Sequence, residues 1–88
     1  MFVLHYRKAM EKHFVYINPE HNNYRFYSLS IAPNLFNNYY VIRVWGRIGR
    51  KGRIRTIYCD TLSEATREFN RQVAKRIKRG YEEVHNRC

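Results

Sequence analysis

Residues 39–59 read YYVIRVWGRIGRKGRIRTIYC, and the stretch that follows from Thr61 to Gly80 reads TLSEATREFNRQVAKRIKRG. In the first, Ile42 and Val44 fall on one side of an extended chain while Val41, Arg43 and Trp45 fall on the other. Gly46, Gly49 and Gly52 then interrupt it three times in seven residues, and Ile54–Cys59 (IRTIYC) resumes as a strand. From Thr61 the period changes to 3.6: Leu62, Ala65, Phe69, Val73 and Ile77 recur at spacings of 3, 4, 4 and 4. Thr61 and Glu64 have the capping-box spacing. Gly80 is a C-terminal stop, and Lys75, Arg76, Lys78 and Arg79 complement the negative end of the helix dipole. Such a helix must bury its apolar stripe. The expected partner is the sheet face carrying Ile42 and Val44, which would leave Trp45 facing outward beside Arg43.

Two further strands precede this unit. His13–Ile17 (HFVYI) stops at Asn18-Pro19, and Arg25–Ile31 (RFYSLSI) places Tyr27, Leu29 and Ile31 on one parity. Pro33-Asn34 and Asn37-Asn38 punctuate the connection to Tyr39, where Asn tolerates the left-handed backbone a turn demands. The expectation is an α+β domain: a small antiparallel meander of about four strands with one long C-terminal amphipathic helix packed on one face. Residues 13–82 form the single domain. Residues 1–12 are left unassigned as an N-terminal extension, and residues 83–88 are read as a C-terminal tail.

Eighty-eight residues allow one core, and 8 Tyr, 5 Phe and 1 Trp supply more bulky apolar area than a disordered basic tail would hold. The 17 Lys plus Arg against 7 Asp plus Glu give 17 − 7 = +10, which favours polyanionic partners. That charge is unevenly placed. Residues 1–20 carry 3 − 2 = +1, residues 21–59 carry 7 − 0 = +7, and residues 60–88 carry 7 − 5 = +2. Phe2-Val3-Leu4 is too short for the apolar core of a signal peptide, and nothing approaches the ~20 apolar residues of a membrane helix. Cys59 and Cys88 close no disulfide framework and read as free thiols, so a cytoplasmic setting is expected, with no membrane partner.

The candidate site follows from the +7 segment. An indole beside several guanidinium groups suits nucleic acid, the ring covering a sugar or base while arginines bond phosphate oxygens. Trp45, Arg47, Arg43, Arg50, Lys51, Arg53 and Arg55 are therefore the first candidates. Against them stand a Trp packed under the helix and an Arg47 tied in a structural salt bridge, for which Asp60 or a helix glutamate would have to serve. Tyr39 and Tyr40 are secondary candidates for stacking, one of them being core by alternation. Arg67, Arg71, Lys75 and Lys78 line a helix face opposite the apolar one, a stripe that i,i+3 and i,i+4 pairing with Glu64 and Glu68 would make a solvated surface. No catalytic residue emerges: His5, His13, His21 and His85 are scattered and Cys59 has no neighbouring base. Neither a metal site nor a cofactor loop is indicated, since no C-x-x-C spacing occurs and GRIGRKG lacks the G-K-[ST] ending. No small-molecule substrate is expected.

Trp45-Gly46-Arg47 closing the third strand, with Ile48, Gly49 and Gly52 after it, belongs to a larger ordered set. Arg25-Phe26-Tyr27, Pro33-Asn34-Leu35-Phe36 and the helix ending in Arg79-Gly80-Tyr81 complete it. Together they resemble the WGR domain of the short, free-standing bacterial type, over roughly residues 13 to 82. The resemblance implies a DNA-associated module without enzymatic activity. In the poly(ADP-ribose) polymerases that contain it, the domain binds strand breaks, its tryptophan packing on the terminal sugar and its arginine contacting the DNA end or a neighbouring domain. Those roles fall on Trp45 and Arg47. No transferase domain accompanies the resemblance, and the polymerases' phosphate contacts beyond the position of Tyr81 have no counterpart, so neither ADP-ribosylation nor a preference for a 5′-phosphorylated end is carried over. Val44 stands where many free-standing members have an acidic residue. The expected function is binding of DNA ends, breaks or distorted duplex. The alternatives are a protein-protein adaptor using the same face, or RNA binding.

Overall fold

The computed structural model describes residues 10–85. Five strands, β1 (Met10–Asn18), β2 (Asn23–Pro33), β3 (Tyr39–Arg47), β4 (Arg53–Cys59) and β5 (Glu82–Val84), form one antiparallel sheet in the order β4-β3-β2-β1-β5. Among the described residues the one α-helix, α1 (Leu62–Lys78), lies between β4 and β5 in sequence, and a 3-10 turn at Pro19–His21 joins β1 to β2. The α+β meander is thus as expected, with one strand more. After Gly80 (φ +95°) the chain turns back along β1, so that Glu82–Val84 pairs with His13–Val15. Residues 83 and 84, expected in a tail, complete a sheet edge. β1 likewise begins at Met10, inside the segment left unassigned from sequence. Residues 1–9 and 86–88, including Cys88, lie outside the described residues.

Pairing register fixes which side chains share a face. Phe14, Tyr27, Trp45 and Arg53 stand in one row across β1 to β4; Lys12, Leu29, Arg43 and Arg55 form the next, and Met10, Ile31, Val41 and Ile57 the one after. Phe14, Tyr27, Leu29, Ile31, Val41 and Cys59 are buried there against Ala65 and Phe69 of α1. The helix therefore covers the face of Val41, Arg43 and Trp45, and the expected partner face of Ile42 and Val44 is the opposite one. The central strand decides this. Its helix-side parity offers Tyr27, Leu29 and Ile31, whereas its other parity offers Phe26, Ser28, Ser30 and Ala32, less apolar area to bury.

The helix stripe also differs from the periodic one. Ala65, Phe69, Gln72 and Arg76 are buried and Val73 packs partly, while Leu62 and Ile77 remain exposed. Thr61 caps the N-terminus, its Oγ1 accepting from the Glu64 amide at 3.1 Å, and the Glu64 carboxylate accepts from the amide of Asp60. At the other end the amide of Tyr81 donates to the Arg76 carbonyl and that of Gly80 to the Ile77 carbonyl. This Schellman closure, which Gly80 permits, turns Tyr81 back against the helix. Burial first, and the carboxylates of Glu64, Glu68 and Asp60 after it, push the Cys59 thiol up, away from thiolate chemistry.

Candidate nucleic-acid interface

Between the C-terminal half of α1, the start of β2 and the end of β3 lies an open groove of about 660 Å³ lined by Tyr16, Arg25, Tyr27, Arg43, Trp45, Lys75, Arg76, Arg79 and Tyr81. Five of these residues are cations and none is a carboxylate. Trp45 is half-buried at the groove wall and touches the core cluster, so it is partly the packed tryptophan and partly the accessible one. Arg43 stands over its ring at 5.2 Å and donates from Nε to the Tyr27 hydroxyl at 2.8 Å. Tyr27 in turn donates to Gln72 Oε1, and Gln72 Nε2 to Glu68 Oε2 at 2.7 Å. This relay holds the Arg43 and Trp45 pair in place from beneath.

Arg76 is the residue that periodicity assigned only to dipole compensation. It is 8% exposed, packed over the rings of Tyr27 at 4.4 Å and Tyr81 at 5.6 Å. Its Nε is buried without a hydrogen-bond partner among the described residues, and its neighbours on the groove wall are further cations. A buried guanidinium with no counter-ion costs stability until an anion supplies one. Arg25, Arg79 and Tyr81 reach the groove with it; their signals were present as strand parity shared with Trp45 and as the Arg79-Gly80-Tyr81 helix ending.

The other sequence candidates separate into groups. Arg53 and Arg55 are exposed on the helix-side face of edge strand β4, directly opposite Trp45 and Arg43, and extend the cationic surface outward. Arg50 and Lys51 are exposed in the β3–β4 turn. Gly52 lies beneath that turn at φ +81°, where a Cβ would stand 2.5 Å from the Trp45 carbonyl oxygen. Arg47 ties the ends of the sheet together: Nη1 donates to the Asn22 carbonyl at 3.0 Å, Nη2 to Asn22 Oδ1 at 3.1 Å, and the guanidinium lies over Tyr24. Its partner is an asparagine in left-handed conformation rather than a carboxylate.

Tyr39 packs against the core, while Tyr40 lies on the far face in edge contact with Tyr58, away from the groove. On the helix, Lys75 enters the groove. Arg71 is held by Glu68 through both oxygens at 2.8 and 3.1 Å, and Arg67 and Lys78 are exposed outside it. Desolvation raises the Glu68 carboxyl, but hydrogen bonds from Arg71 and Gln72 and the charges of Arg71 and Arg43 outweigh it and hold the group below its ordinary value. Among the described residues no three His, Cys, Asp or Glu side chains are grouped to hold a metal, and no helix is long and apolar enough to cross a membrane.

Comparison with known proteins adds three findings. The sequence pattern of the WGR domain matches residues 10–87. An uncharacterized protein of Sinorhizobium fredii, y4dW, is 37% identical over 76 residues, which cover 86% of this chain and 35% of that protein. A crystal structure of a Bacteroides fragilis protein superposes with a TM-score of 0.70 at 22% identity, covering 86% of this chain and 20% of the other. The chain thus spans about a third of the curated relative and a fifth of the structural one, and the latter likeness is one of fold.

Proposed function

Because the chain belongs to the WGR domain family, a family of small binding domains, we propose that it is a non-enzymatic nucleic-acid-binding module that holds DNA at ends, breaks or distorted duplex. The observation that carries this reading is the composition of the groove wall: five cations around a half-buried indole, with no carboxylate to neutralise them. Phosphate oxygens are the ligands that satisfy such a wall, through charge-assisted bonds from Arg25, Lys75, Arg76 and Arg79. Trp45, steadied by Arg43, supplies the flat apolar surface for an exposed sugar or base, a contact typically worth ~1–3 kcal/mol per stacked base. Arg50, Lys51, Arg53 and Arg55 lead duplex phosphates toward the groove. Arg47 positions the β1–β2 turn at the groove's end and keeps N–H groups free for a further contact.

Fluorescence titration of blunt, nicked and covalently closed duplexes at two salt concentrations tests the proposal. Blunt and nicked duplexes should bind tighter than closed duplex, and Trp45→Ala should erase the difference while leaving much of the electrostatic affinity. Equal binding of all three, unaltered by the substitution, would reduce the protein to a nonspecific polycation. A competing single-stranded RNA that displaces the DNA at lower concentration than DNA itself would reassign the groove to RNA.

A further inference from the structure

The sheet face turned away from α1 has a composition that the groove does not explain. Register places Val15 and Ile17 of β1, Tyr24 and Phe26 of β2, Tyr40, Ile42 and Val44 of β3, and Ile54 and Tyr58 of β4 on it. Every cation of β1 to β4, namely Lys12, Arg25, Arg43, Arg47, Arg53 and Arg55, stands on the other parity. A chain of net charge +10 therefore carries one face with no Lys or Arg in its strands. Ile54 is 69% exposed there and Tyr58 54%, and a shallow apolar depression of about 350 Å³ runs past Ile42, Val44 and Ile54. Among the described residues, α1 packs on the opposite side and no other helix covers this face. Contiguous apolar surface of this kind marks an interaction site.

We propose that this face pairs with the same face of a second copy of the chain, forming a two-sheet sandwich with the nucleic-acid grooves on its two outer sides. Three observations select a second copy. Strands of 9, 11, 9 and 7 residues, at ~3.4 Å per residue and ~4.8 Å between strands, give a footprint of roughly 19 by 30 Å. Corrugated by side chains, that face approaches the ~800 Å² per partner of a stable interface. The charge distribution lowers the usual obstacle to self-association of a +10 chain, because the strand cations of both copies stand on the parity away from the contact, Arg47 reaching back over Tyr24 only at the end of the face. The histidine within the face is also already paired: His13 Nδ1 meets Ser28 Oγ at 2.9 Å and Nε2 meets Glu11 Oε2 at 3.0 Å, so covering it strands no ring nitrogen. Edge-to-edge pairing through β4 is opposed by Arg53 and Arg55, which would confront their own copies.

The functional consequence rests on the nucleic-acid reading above: two outward grooves let one dimer hold two DNA segments together. Sedimentation equilibrium of the full chain between 1 and 100 μM, as roughly chosen bounds around ordinary dimer affinities, should give a mass approaching twice 10.8 kDa. Ile54→Glu, at an exposed edge position that folding tolerates, and Val44→Lys should each return it to 10.8 kDa with an unchanged circular dichroism spectrum. Both variants should bind a single short duplex as the parent does yet fail to bring donor- and acceptor-labelled duplexes into energy transfer. Trp45→Ala should behave in reverse, keeping the dimer mass and the energy transfer while losing the preference for blunt and nicked over closed duplex, which separates failure of the interface from failure of the groove. A parent protein at 10.8 kDa throughout the range, or a doubled mass that survives both substitutions, overturns the proposal. A dimer that binds duplex but transfers no energy overturns the back-to-back arrangement.

Discussion

Arg76→Met should make the free protein more stable and the DNA-bound protein less so. The parent guanidinium leaves a buried Nε unpaired, a loss of ~1–3 kcal/mol, and does so beside Arg43, Lys75 and Arg79 on the same wall. Against this, the faces of Tyr27 and Tyr81 at 4.4 and 5.6 Å return ~0.5–2 kcal/mol. Methionine keeps the unbranched stem over both rings, adds a sulfur contact of its own and needs no partner. The balance favours the variant by ~1 kcal/mol, which for a domain of this size is a rise in Tm of about 4–8 °C. Thermal unfolding followed by near-ultraviolet circular dichroism, with and without a short duplex, reads both effects. At a duplex concentration of a hundred times Kd the parent should gain ~2.7 kcal/mol by linkage, and the variant distinctly less. A variant that melts below the parent without DNA, and gains as much from DNA, would refute the idea that Arg76 waits for an anion.

The turn glycines give a graded test by denaturant titration. Gly52→Ala places a Cβ 2.5 Å from the Trp45 carbonyl at φ +81° and should cost more than ~2 kcal/mol, whereas Gly49→Ala, at φ +90° in open space, should cost about 1. If all five groove cations neutralise phosphates, log K should fall against log salt with a slope of about −4.5, and Arg79→Ala should bring it to about −3.6; a slope flatter than about −2 would exclude phosphate tracking. The Glu68 carboxyl is pushed up by burial but held low by Arg71, Gln72 and Arg43. Its folded value is depressed, so its contribution is complete above the ordinary carboxylate range and lost as pH falls through the folded value. Unfolding free energy measured from about pH 6 to pH 2 should therefore decline more steeply in the parent than in Glu68→Gln.

The element types were legible because each rests on local chemistry. Asn37 takes the left-handed conformation expected of the β2–β3 connection at φ +64°, Thr61 caps α1, and Gly80 ends it. β5 was not, because three residues carry too little periodicity and gain their identity only from the edge of β1 that Gly80 turns them toward. The side of the sheet that α1 covers differs from the one the pattern of β3 suggests, for a physical reason. In β3 both parities are apolar except for Arg43 and, at the strand's end, Arg47, and a charge in mid-strand ordinarily marks the solvent side. Arg43 instead lies along the covered side, its head at Tyr27 and Trp45 where the groove opens. The residues that decide the side lie one strand away, where Tyr27, Leu29 and Ile31 form the bulkier parity, and they are tied to Trp45 only by the pairing of Tyr27 with Trp45 that the chain acquires on folding.

That inversion changes what the motif tryptophan is. An outward-facing indole on a bare sheet would be an isolated stacking platform with its arginines mobile around it. On the helix side, Trp45 is braced by the core and by Arg43, and the residues that complete its surroundings, Arg76, Arg79 and Tyr81, come from the end of α1 and the turn after it. The Schellman closure at Gly80 is thus as much part of the proposed binding surface as the tripeptide is, since it sets Tyr81 over Arg76. Nor is the closure easily altered: a Cβ at position 80 would stand 3.3 Å from the Tyr16 ring, itself on the groove wall, in a backbone conformation that only glycine adopts without strain. Gly80→Ala should therefore weaken DNA binding and stability together, while Gly49→Ala, in the exposed turn, should leave affinity within about twofold, a difference of under ~0.5 kcal/mol. Equal losses of affinity from the two substitutions would return the site to the turn alone.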